Sequence, residues 1–296
     1  MPDHNGLSFI VPAYNEEEGI RETLEELKDV LSATGLDHEI IVVDDASSDR
    51  TSEIVSGILC VALISHPVNM GYGKALKTGI EKARYDWVGI MDADGTYPAD
   101  QIPFLVDEMS KGFDMVIASR GNTEEYDGLI KGLSRRIYKF LVNTISGHKI
   151  DDPNSGLRIF RRAVALEFHE FLCDRFSFTT SLSILSSMKP YCLKYVNIDY
   201  QARKGNSHVK HLRDSITTMR IMVEGVTYYN PLRFFILLVF TMILTVGFPA
   251  MVLALMRMHT LSLYYMIFGC TVSILIGIGV LADVVRVSCA KLCQRM

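Results

Sequence analysis

The chain of 296 residues exceeds one ordinary domain, and its apolar fraction of 49 % allows a large buried core. Thirty basic and 34 acidic side chains leave a net charge of −4, which selects no charged partner, and nucleic acid is not expected as one. The six cysteines form no Cys-x-x-Cys pair, so reduced thiols are expected and a zinc site is not.

Residues 7–15 spell a strand running into a loop; Glu16, Glu17 and Glu18 follow, and a helix is predicted to about Ala33. Ile20, Leu24, Leu27 and Leu31 keep helical spacing, and three acids in the first turn suit the helix dipole. Residues 39–49 repeat the pattern, an apolar strand ending in Asp44 and Asp45, with Ser47 or Ser48 as a cap for a helix near Arg50. A third strand spans 60–65. Residues 69–75, with Gly71 and Gly73, open a helix to about Arg84; the two glycines either bring amides to a phosphate or make a turn.

Trp87, Val88, Gly89 and Ile90 form an apolar strand that ends in Asp92-Ala93-Asp94-Gly95. In open α/β sheets ligands bind outside the carboxyl ends of the strands. The chain turns there, so both carboxylates reach one hard cation that bridges two phosphate oxygens, and Gly95 lets the turn form. An isolated Asp-x-Asp is more often a surface turn, but here several acidic strand ends recur. A helix over 101–111 and a strand over 115–118, ending at Ser119 and Arg120, continue the alternation, which predicts right-handed crossovers and a mainly parallel sheet.

Leu129, Leu133, Ile137, Leu141 and Ile145 fall on one helical face with Lys131, Arg135 and Lys139 on another, as in a helix lying on an anionic membrane surface. Residues 151–158 are too polar and Gly-marked for a core element and are predicted to be a functional loop. Helices over 162–171 and 178–188 precede a strand over 192–199. Arg203, Lys204, Gly205 and Ser207 then make a basic loop suited to phosphate. A second amphipathic helix carries Leu212, Ile216, Met219, Val223 and Val226 on its face.

Two runs, 232–256 and 261–282, are each long and apolar enough to span a bilayer. Arg220 and Arg233 before them, with Arg286, Lys291 and Arg295 after, put both termini on the cytoplasmic side, and no signal peptide precedes the first strand. The expected domains are a catalytic part over 1–210 that includes the interfacial helix at about 129–146, a juxtamembrane helix over 211–230, a transmembrane hairpin over 231–287 and a tail over 288–296.

Acidic strand ends, Gly-marked loops and clustered basic residues describe a site for a metal-bound diphosphate. Val-Pro-Ala-Tyr-Asn-Glu-Glu at 11–17, Val-Val-Asp-Asp at 42–45, Asp-Ala-Asp at 92–94 and Ser-Gly-Leu-Arg at 155–158 together resemble a family 2 glycosyltransferase of the GT-A fold, an α/β class with a Rossmann-like sheet. With the Arg-Lys-Gly-x-Ser stretch and the hairpin, the chain is similar to polyisoprenyl-phosphate glycosyltransferases, the group of dolichyl-phosphate mannose or glucose synthases and undecaprenyl-phosphate glycosyltransferases. The resemblance implies that Pro12, Ala13, Tyr14, Glu16 and Asp44 hold the nucleotide and that Asp92 and Asp94 hold Mg²⁺ or Mn²⁺. It further implies that Arg120, Arg158 and Arg203 address phosphates and that Asp152 is the catalytic acidic position. Lys204 and Ser207 join the acceptor side. The implied reaction is inverting transfer of a hexose from a UDP- or GDP-sugar to a membrane polyprenyl phosphate, in glycan biosynthesis. The implied place is the bacterial or archaeal inner membrane or the endoplasmic reticulum, with the catalytic part cytosolic; a homo-oligomer is left open. Thr96 stands where many dolichyl-phosphate mannose synthases have Gln, which loosens the link to GDP-mannose.

Two other functions compete. A processive polysaccharide synthase shares the fold but usually carries Gln-x-x-Arg-Trp, and the only tryptophan, Trp87, lies on a strand. A catalytically inactive membrane scaffold has no reason to retain Asp92, Asp94, Asp152, Arg158 and Arg203 together.

Overall fold

A computed structural model describes residues 6–120, 140, 143–144, 149–175, 177–198 and 231–294. The chain divides into two compact units, Met1–Thr218 and Met219–Met296.

The first unit is built on a seven-stranded sheet. Its strands are β1 (Gly6–Ala13), β2 (Asp37–Asp44), β3 (Val61–Ser65), β4 (Trp87–Ile90), β5 (Met115–Arg120), β6 (Arg158–Arg161) and β7 (Leu193–Ile198), in the order β3-β2-β1-β4-β6-β5-β7. All eight residues of β1 are buried, as expected of a strand covered on both faces. It pairs in parallel with β2, Ala13 opposite Asp44, and with β4, Ile10 opposite Ile90. The helix α1 (Ile20–Ala33) buries Ile20, Leu24, Leu27 and Leu31 completely, in one core with Leu7, Phe9 and Val11 of β1. The helix begins later than its acids suggest: Glu16, Glu17 and Glu18 precede it, and only Glu22 lies in its first turn. Helices α2 (Thr51–Ser56), α3 (Tyr72–Lys82) and α4 (Ile102–Ser110) complete the alternation.

The polar stretch expected to stay a loop to residue 158 instead ends in a strand. β6 lies between β4 and β5 and runs antiparallel to both, with Arg158 opposite Ile90 and Ile117. Its sequence, Arg-Ile-Phe-Arg, is four residues long and charged at both ends, so no period could announce it. The reversal matters for position: β6 starts at the edge where β4 and β5 end, and so delivers residues 151–157 to the carboxyl ends of the parallel strands. Helix α5 (Arg162–Glu167) is followed by a 3₁₀ turn, His169–Phe171, and α6 (Phe178–Ser187) is buried along its whole length.

In the second unit α7 (Pro231–Met242), a π turn (Ile243–Gly247) and α8 (Phe248–Leu255) follow one another, and α9 runs from His259 to Gln294, past the expected stop at Ala282. Leu238–Leu255 and His259–Ala282 are long and apolar enough to cross a membrane, and almost none of either is buried. Phe240, Ile274 and Phe268 show more than half of their surface. The Ser262 hydroxyl donates to the Ala250 carbonyl at 2.7 Å and the Tyr265 hydroxyl to the Thr245 carbonyl, inside the π turn, at 3.0 Å. Those bonds tie α9 back on the preceding segment. The two amphipathic helices expected at 129–146 and 211–230 fall almost wholly outside the described residues.

Candidate functional site

Pro12, Ala13, Tyr14, Glu16, Asp44, Asp92, Asp94, Arg120 and Asp152 gather at the carboxyl edge of the sheet. Pro12 and Ala13 are buried at the end of β1, and Tyr14 and Glu16, half-buried, begin the loop beyond it. That loop is bolted to the one after β2. The Asn15 amide donates to Ser47 Oγ at 2.9 Å, the Glu16 amide to Thr51 Oγ1 at 2.9 Å and the Glu17 amide to Asp49 Oδ2 at 3.1 Å; the Ser48 amide returns a bond to Asn15 Oδ1 at 2.8 Å. Ser47 and Ser48 therefore serve the neighbouring loop instead of capping α2, whose N-cap is Arg50. Asp44 is buried, and its Oδ1 accepts the Ser47 amide at 3.1 Å and the Ser47 hydroxyl.

Asp45, its neighbour, organises the glycine loop. Its Oδ1 accepts the Met70 amide at 2.8 Å and faces His66 Nδ1 at 2.7 Å, while Oδ2 accepts the Gly71 amide at 2.7 Å. At the start of α3 the Lys74 amide donates to the Asp174 carbonyl at 2.8 Å. A Cβ on Gly73 would stand 2.0 Å from the Cys173 carbonyl oxygen. These glycines thus allow two chain segments to cross, and the amides at Met70, Gly71 and Lys74 already have carboxylate or carbonyl partners. Those partners support the turn over the phosphate cradle for this stretch.

Beyond β4 the chain turns at Gly95, φ +68°, in the left-handed region that suits glycine. Asp94 is 6 % exposed, and its Oδ1 accepts the Thr96 hydroxyl at 2.6 Å and the Thr96 amide at 3.1 Å. Thr96 is fully buried, and its hydroxyl and amide orient Asp94. Asp92 is half-buried and accepts the Tyr72 hydroxyl on Oδ1 at 2.7 Å. Tyr97, buried nearby, accepts the Gly156 amide at 2.7 Å and lies in the field of Arg120, Asp92 and Asp152. Burial, with the two carboxylates, pushes its phenol well above the ordinary range.

Arg120 and Asp152 meet at the end of β5. Nε donates to Oδ2 at 2.7 Å, Nη2 to Oδ1 at 2.8 Å and the Arg120 amide to Oδ2 at 3.1 Å. Burial alone would raise the Asp152 pKa, but hydrogen bonds from Arg120 and its charge outweigh that and hold the carboxyl below the usual range.

Arg158 does not take the place the resemblance implied for it. It has no exposed surface. Its guanidinium donates to the Ser155 carbonyl at 2.6 and 3.2 Å, to the Pro153 carbonyl at 3.3 Å, to the Thr179 carbonyl at 3.0 Å and to Ser183 Oγ at 2.9 Å. A planar fork surrounded by carbonyls pins the 153–155 loop to α6 and cannot reach a phosphate from there. Burial pushes its pKa down. Arg203, Lys204 and Ser207 lie outside the described residues.

Among the described residues no three His, Cys, Asp or Glu side chains stand together as a metal cage. Two carboxylates on one strand end nevertheless fit Mg²⁺ or Mn²⁺, which is commonly held by one or two carboxylates with the remaining positions filled by substrate phosphates and water. The residues that the sequence did not announce are Tyr72, Tyr97 and His66, and of these only Tyr72 had a signal, its place between two glycines; Asp45 was noted as a strand-end acid, but its hold on the glycine loop was not.

Residues 8–168 match the sequence model of Glycosyl transferase family 2. The low-salt glycan biosynthesis hexosyltransferase Agl6 of Haloferax volcanii is 30 % identical over 229 residues, 75 % of this chain and 54 % of that one. Undecaprenyl-phosphate 4-deoxy-4-formamido-L-arabinose transferase of Pseudomonas fluorescens is 31 % identical over 163 residues, 53 % of this chain and 47 % of that one. The chain thus spans about half the length of these curated relatives. Among solved structures, glucosyl-3-phosphoglycerate synthase from Mycobacterium tuberculosis in complex with Mn²⁺ and uridine-diphosphate-glucose aligns with a TM-score of 0.57 at 19 % identity, covering 76 % of this chain and 79 % of that one. At that identity the likeness is one of fold.

Proposed function

Because the chain belongs to glycosyl transferase family 2, we propose that it transfers a hexose from a nucleotide sugar to a membrane polyprenyl phosphate. The observation that carries the reading is the convergence of Asp44, Asp92, Asp94 and the Arg120–Asp152 pair at one sheet edge, in a chain that also bears two exposed apolar helices. Relatives named as a hexosyltransferase and an undecaprenyl-phosphate sugar transferase support the reaction class and the lipid.

Pro12, Ala13, Tyr14, Glu16 and Asp44 are assigned to the nucleotide, and Asp92 with Asp94 to a divalent cation. Held by these two carboxylates, such a cation would supply charge neutralisation for the departing diphosphate. The acceptor phosphate attacks the anomeric carbon from the opposite face, and configuration inverts. A phosphate monoester has its second pKa at about 6, so near neutrality the acceptor is already mostly a dianion and needs little help from a base. Asp152, held as an anion by Arg120, then works by fixing that guanidinium where phosphate charge arrives. Arg203, Lys204 and Ser207 are assigned to the acceptor phosphate. Arg158 supports the loop from beneath. The apolar helices anchor the chain in the membrane that supplies the lipid, with the catalytic unit on the cytosolic side by the count of flanking basic residues.

Purified full-length protein in detergent is to be incubated with UDP- and GDP-sugars and undecaprenyl or dolichyl phosphate, and the lipid fraction weighed by mass spectrometry. A polyprenyl phosphate heavier by one hexose residue is the expected product. Sugar nucleotide hydrolysis alone, with no lipid-linked sugar from any donor, removes the proposal.

A further inference from the structure

The Asp92 carboxylate is held from two sides, by α3, to which the chemistry above gives no part, and by the loop that carries Asp152. From α3 the Tyr72 hydroxyl donates to Oδ1 at 2.7 Å. From the 151–157 loop Gly156 comes so close that a Cβ there would stand 2.3 Å from Oδ2 and 2.6 Å from Cγ. Gly156 is itself fixed by its amide, which donates to the Tyr97 hydroxyl. The position of Tyr72 is equally determined: Gly71 is tied to Asp45, Gly73 lies against the Cys173 carbonyl and Lys74 is bonded to Asp174, so the first turn of α3 is clamped on both sides of the ring.

We propose that Tyr72 is a positioning residue for the cation and diphosphate: its hydroxyl fixes the rotation of the Asp92 carboxylate, so that both meet an already oriented ligand. The inference rests on the assignment of Asp92 to a divalent cation and adds to it a residue 20 positions earlier in the chain. Carboxylate ligands are generally held by such outer hydrogen bonds, and removing one typically costs about 10- to 100-fold in metal affinity or activity.

The test is Mn²⁺ binding to the full chain in detergent, read from the free Mn²⁺ paramagnetic resonance signal with saturating UDP or GDP, for wild type and Tyr72→Phe. The variant keeps the ring and loses only the hydroxyl. The expected result is a dissociation constant for Mn²⁺ raised about 10- to 100-fold, with the metal-free melting midpoint close to wild type. In an Asp92→Ala background the same change is expected to add no further loss, because the two residues act through one contact. Unchanged Mn²⁺ affinity in Tyr72→Phe, beside a wild type that binds, overturns the inference and leaves the cation assignment standing. A wild type that binds no Mn²⁺ with either nucleotide overturns both. A Tyr72→Phe protein that does not fold also overturns it, since the hydroxyl would then belong to the fold and not to the site.

Discussion

Arg120 and Asp152 face each other through paired hydrogen bonds of 2.7 and 2.8 Å, and the carboxylate accepts the Arg120 amide as well. An acid so engaged is a poor proton acceptor. Its depressed pKa means that the pair contributes stability above the unfolded carboxyl pKa, about 3.9, and loses it only as pH falls through the lower folded value. The rate of transfer should therefore fall on the acid side near pH 6, where the acceptor phosphate takes up its second proton, and that limb should persist in Asp152→Asn with a lower plateau. Rate profiles between pH 5 and 8 check it; loss of the limb in the variant would falsify the view that Asp152 organises Arg120.

Asp94→Asn should abolish transfer with the fold retained, because a neutral amide is a poorer ligand for a hard cation. Asp92→Asn should be severe too. Chelator should inactivate the wild type, and added Mg²⁺ or Mn²⁺ should restore it; product formation and circular dichroism on the same samples give the answer. Full activity in chelator would remove the cation from the mechanism.

Gly156→Ala places a methyl group 2.3 Å from Asp92 Oδ2. Either the carboxylate swings off Tyr72 or the loop leaves Tyr97. The expected outcome is a large loss of Mn²⁺ affinity in a protein that still binds free nucleotide, measured by calorimetry with and without the metal. Wild-type metal affinity in this variant would mean that the loop yields without moving Asp92.

Arg158→Met leaves the Ser155, Pro153 and Thr179 carbonyls in the interior without their donor. At about 1–3 kcal/mol for each buried group left unsatisfied, the fold should weaken by several kcal/mol in denaturant titration. A phosphate-binding arginine predicts the opposite pattern, normal stability with weakened substrate binding.

Arg203→Lys should impair use of the lipid more than binding of the nucleotide, because Lys cannot copy the paired hydrogen bonds of a guanidinium to two phosphate oxygens. Loss of a charge-assisted contact of about 1.5–3 kcal/mol corresponds to a roughly tenfold to hundredfold drop in transfer efficiency. Kinetics with varied lipid, beside calorimetry with nucleotide, separate the two. A mainly nucleotide defect would move Arg203 to the donor diphosphate.

How much of this was legible depended on the kind of signal. Asp44, Asp92 and Asp94 stood out because each closes an apolar run, and strand ends are where an open sheet meets its ligands. Arg158 was misleading: an arginine in a polar, glycine-marked motif reads as a phosphate ligand, and only the serine and threonine side of α6, packed over it, turns it into an internal brace. The contact between Tyr72 and Asp92 joins two elements with no shared period, and sequence alone carries no distance between them. β6 was hidden by its brevity. The described helices of the first unit were placed within a few residues, the usual uncertainty at frayed ends, whereas α9 runs on to Gln294, well past the expected stop at Ala282.

The antiparallel insertion of β6 also orders events during synthesis. β4 and β5 follow one another in the chain but never pair; the slot between them is filled by a strand that begins 38 residues after β5 ends. Chains emerge at about 5–20 residues per second, so for several seconds the nascent sheet has its parallel N-terminal half and an unpaired edge on β4. Because Gly156 arrives with β6, the wall against Asp92 forms only when that edge closes, and a nascent chain that has not reached residue 161 lacks that wall. Ribosome-bound chains stalled before and after that point should differ in protease sensitivity at the β4 edge.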